Sequence, residues 1–148
     1  MRVPLPLVPL IAVFLALAQP PSTAAAAEPS GEFDGRWNVT LTCPPHSEED
    51  DGAKGYVHQF PAEVRNGVLR GTHGFEGQPS FHLLTGTIAA DGSAALKLDG
   101  IVSNPAYAIN NAQRGKPYSY RVRASFEKSI GMGQRVGKRR CDFLFKRA

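Results

Sequence analysis

An all-β fold is predicted: a small antiparallel meander of seven or eight strands, closed as a barrel or packed as a sandwich. Three observations lead there. Short segments alternate apolar and polar residues with period two, the strand signature. Asp/Asn-Gly pairs recur between them as turn signals. The two cysteines, Cys43 and Cys141, fall in the first and last patterned segments.

The chain opens with Arg2, an uncharged apolar run over residues 3–18, and Ala24-Ala25-Ala26-Ala27. The Pro-free part of the run, Leu10 to Ala18, is too short to span a bilayer, which needs about 20 apolar residues. The pattern is that of a signal peptide over residues 1–27, cut after Ala27 or, earlier, after Ala18. Residues 28–148 then form a single β domain, secreted or periplasmic, with no membrane span in the mature chain. In that compartment an even cysteine count reads as a disulfide. The Cys43–Cys141 bond joins first and last strands on their inward faces, as closing a sheet on itself requires.

In the first strand, Trp37, Val39, Leu41 and Cys43 share a face; in the next, Tyr56, His58, Phe60, Ala62 and Val64 do. Asn66-Gly67 suits a two-residue type I′ turn, which pairs Val64 with Leu69, Ala62 with Gly71 and Phe60 with His73. A three-residue loop at Ala90-Asp91-Gly92 pairs Ile88 with Ala94, Gly86 with Leu96 and Leu84 with Leu98, keeping one face apolar. Tyr118, Tyr120, Val122, Ala124 and Phe126 alternate with polar residues, and Arg139, Cys141, Phe143 and Phe145 share the last inward face. Asp99-Gly100 reads as a further turn, and the Gly-rich stretch from Ser129 to Gly137 as a flexible hairpin end. Pro44 to Lys54 and Asn104 to Pro117 read as loops. Long loops in compact domains often carry function.

Charge is uneven. Residues 28–111 carry a net −6 and residues 112–148 a net +9. Arg121, Arg123, Lys138, Arg140, Lys146 and Arg147 are candidate anion-binding residues, forming one basic face if the last two strands pair. The partners expected are an anionic polysaccharide, a lipid headgroup or an acidic protein, with no nucleic acid.

No catalytic motif is found. The four histidines lack zinc-motif spacing, with His73 facing Phe60 rather than His58. Glu48-Glu49-Asp50-Asp51 lacks the alternating oxygen ligands of a calcium loop. No catalytic residue, metal or cofactor is therefore expected. The inward aromatic residues either fill the core or edge a partly open barrel mouth that holds a small apolar ligand.

Gly35-Arg36-Trp37 at the start of the first strand resembles the Gly-x-Trp opening of lipocalin and calycin-like barrels. The resemblance implies Trp37 as a barrel-end plug with a late-strand arginine over it, Arg139 being preferred to Arg147. Small exported protease-inhibitor barrels share the opening, the single disulfide and the size. The whole mature pattern, including Phe33-Asp34-Gly35, Tyr118-Ser119-Tyr120 and Cys141-Asp142-Phe143, also resembles small exported bacterial β-proteins of unassigned function. Together these features describe a non-enzymatic exported binding module that uses its basic C-terminal face or its barrel mouth. The alternatives are a protease inhibitor acting through Glu28–Phe33 and a calycin-like carrier of a small apolar ligand.

Overall fold

A computed structural model describes residues 28–47 and 49–148. The expected leader over residues 1–27, and Glu48 of the acidic run, lie outside the described residues.

The strands are β1 (Gly35–Cys43), β2 (Tyr56–Arg65), β3 (Val68–His73), β4 (His82–Ile88), β5 (Ser93–Ile101), β6 (Pro117–Glu127), β7 (Ile130–Arg135) and β8 (Asp142–Arg147). They form one closed antiparallel barrel in chain order, β8 returning to pair with β1. Closure removes both sheet edges, and it decides barrel against sandwich. The Cys43–Cys141 disulfide reinforces the seam, linking the end of β1 to the residue before β8.

Both hairpin registers appear as read, except that the β2–β3 ladder ends at Ala62–Gly71, short of the expected Phe60–His73 pair. Val64 faces Leu69, Ala62 faces Gly71, and Ile88, Gly86 and Leu84 face Ala94, Leu96 and Leu98. Asn66 and Gly67 both have positive φ, 51° and 73°, as a type I′ turn demands. Gly92 takes φ 83° in the second turn, where an added Cβ would strike the Phe126 carbonyl oxygen.

Two expectations are corrected. Asp99-Gly100 lies inside β5 and turns nothing. Gly100 faces inward under the Tyr118 ring, whose atoms occupy the space a Cβ would need. Residues 130–135 form β7, a paired strand in place of a flexible hairpin end. Its first two inward positions are Gly131 and Gly133, filled from β6 by the Phe126 ring and by Ala124 and Val122. The inward side chains that announce a strand are supplied by a neighbour.

One end of the barrel is closed. Trp37 is 1% exposed, donates from Nε1 to the Phe33 carbonyl at 2.9 Å, and meets Phe126 edge-on at 5.3 Å. The Arg147 guanidinium covers it, 5.1 Å from the ring centroid, and donates to the Glu32, Asp34 and Lys128 carbonyls. The plug's partner is thus Arg147. Arg139, the expected partner, lies among the residues of the opposite end, because β8 runs antiparallel to β1 and carries its two ends to opposite rims. The Asp34 carboxylate accepts from the Asn66 and Gly67 amides, which bind it to the β2–β3 turn. Ser30 donates its amide to Ile88, and Phe33 is buried in the core. The segment assigned to protease-cleft insertion is in this way docked on its own barrel. Between the ends, Val39, Leu41, Leu69, Leu84, Leu98, Val122, Phe143 and Phe145 fill the middle.

Candidate functional site at the open end of the barrel

Strand alternation sets which side chains enter the other end. The same parity that buries Phe60 and Leu69 turns Tyr56 and His58 of β2 and His73 of β3 inward. Likewise His82 lies inward on β4, Tyr118 and Tyr120 on β6, and Arg135 on β7. Where the first end is sealed by apolar rings, this layer is polar and aromatic. A cavity of about 380 Å³ opens from it. Its outer wall comes from the β5–β6 loop, with Val102, Tyr107, Ala108 and Ile109 facing the barrel residues.

That loop is organised by two 3₁₀ turns, Pro105–Tyr107 and Ile109–Asn111. Asn104 caps the first by accepting from the Ala106 amide. A second loop, described over residues 44–47 and 49–54, lies beside it. Lys54 donates its amide to Ala106, and the Asp51 carboxylate accepts from the amides of Asn110 and Ala53. These bonds, led by the Asn110 amide and followed by the His46 ring at 2.8 Å, lower the Asp51 pKa to about 2. Arg139 fastens both loops to the rim. It is 2% exposed and donates to the carbonyls of Tyr107 at 2.6 Å, Lys54 at 2.7 Å and Pro44 at 3.2 Å. Its guanidinium lies 5.2 Å from the Tyr56 ring centroid.

Arg135 differs. Its guanidinium lies 4.1 Å from the Tyr120 ring centroid, and its Nε is buried with no hydrogen-bond partner. The described residues lining the cavity include Arg135 and Arg139 and not one aspartate or glutamate. Three histidine rings gather on the facing wall: His58 to His73 at 4.3 Å, His58 to His82 at 5.0 Å, His73 to His82 at 5.4 Å. His82 Nε2 and the Tyr118 hydroxyl share a hydrogen bond of 2.6 Å. Burial, reinforced by the other two histidines, lowers the His82 pKa to about 3. Burial likewise lowers that of His58. Burial raises the pKa values of Tyr56, Tyr118 and Tyr120, so all three are neutral phenols.

Among the described residues, the buried side-chain atoms without a hydrogen-bond partner are His82 Nδ1, Tyr120 Oη, Arg135 Nε and Arg139 Nε. All four belong to this end. Buried polar atoms are as a rule paired, and each unpaired one costs about 1–3 kcal/mol.

The other sequence-assigned residues are dispersed. Arg121 and Arg123 project outward from β6, and Lys146 from β8. The basic face required these two strands to pair, but β7 stands between them and presents Ile130, Met132 and Gln134 outward. Arg140 pairs with Asp142 at 3.2 Å, Lys138 is exposed in the β7–β8 turn, and Arg147 is at the closed end. The register expected from sequence sets His58 and His73 two residues apart across β2–β3, yet their rings meet at 4.3 Å, and His82 joins them through the β3–β4 register, which sets it opposite His73. Among the described residues, no group of three or more His, Cys, Asp or Glu is arranged to hold a metal, this cluster included. Arg135 was missed because β7 itself was. Its signal was period-two spacing from Gly131 and Gly133.

Compared with family models, curated proteins and solved structures, the chain has no match.

Proposed function

We propose that this protein is an extracytoplasmic small-molecule-binding barrel that holds its ligand in the cavity between Tyr56, His82, Tyr118 and Arg135 and the Tyr107–Ile109 turn. The observation that carries the reading is the convergence of four unpartnered buried polar atoms on one end of an otherwise sealed barrel. A core position that serves stability alone is apolar or paired. Polar side chains lining a cavity of this size, among aromatic walls, are the composition of a ligand site. The disulfide agrees with an oxidising compartment. Arg139 and Asp51 hold the covering loops in place beforehand, which reduces the ordering cost of binding. The His82–Tyr118 pair lacks the third group that would orient its histidine, since His82 Nδ1 has no partner among the described residues, so binding is the activity read from the cavity.

Titration with phenylnaphthylamine, a neutral dye that fluoresces in apolar sites, tests the reading. Saturable binding is expected, lost when Ala108→Trp fills the cavity from its loop side while circular dichroism stays unchanged. Binding unaffected by Ala108→Trp would move the site elsewhere.

The basic-face reading rests on the charge of residues 112–148 alone. The outward residues Ile130, Met132 and Gln134 divide that charge, so the cavity is the better supported site.

A further inference from the structure

Resting on that reading, we infer that the ligand is a planar aromatic anion, a carboxylate or sulfonate, whose charged group is received by Arg135.

Arg135 points into the barrel from β7 among residues that line a cavity, and no described lining residue is acidic. A guanidinium is always charged and, when buried, is stable only if its charge and its donors are met. Arg139 has its needs largely met by three carbonyl oxygens. Arg135 makes no side-chain hydrogen bond to any described residue within the barrel, and only the Tyr120 ring face supports it. Its charge is thus the one placed to be answered from the cavity. An incoming carboxylate meets the guanidinium fork with two parallel bonds.

The neighbours add selectivity for an anion. Tyr118 lines the cavity as a protonated phenol, and Tyr120 supports the guanidinium on its ring face. A phenol can donate to an anion, whereas a carboxylate lining residue would repel one. Burial keeps His58 and His82, the histidines that line the cavity, uncharged near neutrality.

Shape supplies the aromatic half. Tyr56 and Tyr118 line the mouth, and Tyr118 is held by Tyr120, whose ring lies nearly parallel behind it, 10° apart. Facing them, Val102, Ala108 and Ile109 give an apolar wall. A flat ring system inserted between aromatic and apolar walls keeps dispersion contact on both faces. The cavity of about 380 Å³ suits a ligand of a few rings rather than a polymer.

Anilinonaphthalene sulfonate and phenylnaphthylamine share one scaffold and differ by the sulfonate. They are titrated against the unaltered protein, then against Arg135→Gln, Arg135→Lys and the outer-face variant Arg121→Glu/Arg123→Glu. Sulfonate affinity should exceed that of the neutral dye by about tenfold or more, the scale of one charge-assisted hydrogen bond. Arg135→Gln should erase the difference, Arg135→Lys should restore part of it, and the outer-face variant should leave it intact. Equal affinities for the two dyes would overturn the anion inference while leaving the cavity reading in place. So would a preference that Arg121→Glu/Arg123→Glu abolishes. Failure of both dyes to bind would sink both claims together. The comparison on the unaltered protein stands even if Arg135→Gln does not fold.

Discussion

Arg139 donates to the carbonyl of Tyr107 at 2.6 Å, across 32 residues of sequence. The same guanidinium reaches Lys54 and Pro44, so one buried cation gathers three segments at the rim: the two mouth loops and the approach to β8. It stands two residues before Cys141, whose bond to Cys43 closes the seam below.

Arg139→Met should therefore loosen the mouth without opening the barrel. It leaves the Tyr107 and Lys54 carbonyls short of a charged donor, a loss of about 2–4 kcal/mol from hydrogen bonds worth roughly 1.5–3 kcal/mol each, partly replaced by water. Urea unfolding reads the total. Hydrogen exchange should speed up at the Lys54 and Asn110 amides, while amides in the middle of β1 and β5 change only as far as global stability falls.

At the closed end, Trp37→Ala removes a buried ring and should cost about 3–5 kcal/mol. Arg147→Met should cost less, because the apolar stem of the side chain still covers the indole. Thermal denaturation of the pair ranks them. A larger loss for Arg147→Met would mean that its three carbonyl bonds, and not the plug, hold this end.

The disulfide encloses 98 residues of separation, and chain entropy assigns such a loop about 4–5 kcal/mol. Cys43→Ala/Cys141→Ala should lower stability by up to that amount. Because the seam also has the β1–β8 ladder, the double variant should retain its barrel, visible as an unchanged far-ultraviolet spectrum.

His82 gives a pH dependence of definite sign. Its folded pKa is about 3, and an unfolded histidine titrates near 6.5. Between those values the unfolded chain binds a proton that the folded chain refuses, so stability is present above about 6.5 and is lost as pH falls through that window. His58, lowered by burial, acts in the same direction. The urea midpoint should drop steadily from about pH 7 to about pH 4, with His82 removing at most about 1.4 kcal/mol of stability for each pH unit of the descent. His82→Gln should flatten that slope. A slope unchanged in His82→Gln would place the titration elsewhere.

Much of the barrel was legible in the chain because inward side chains alternate visibly. Val64/Leu69 and Leu84/Leu98 pair as the turn chemistry of Asn66-Gly67 and Gly92 dictates. Where the inward positions are glycines, the pattern fades. Gly131 and Gly133 look like a hairpin tip until Phe126 and Val122 are seen to fill their places. Losing β7 from the sequence also lost Arg135 and gave β6 and β8 a false adjacency, hence the expected basic face. The mouth is built by contacts of long range, such as His73 with His82 and Asp51 with Asn110, which no local spacing encodes. Choosing between Arg139 and Arg147 over Trp37 likewise needed the direction of β8 relative to β1.

The most direct test of a ligand site at the open end is an amide NMR titration of the isotope-labelled protein with anilinonaphthalene sulfonate. Saturable shifts should gather at Tyr56, His82, Val102, Tyr107, Tyr118 and Arg135, and spare the turn at Asn66-Gly67. Shifts centred on Arg121, Arg123 and Lys146, with the mouth residues unmoved, would contradict it.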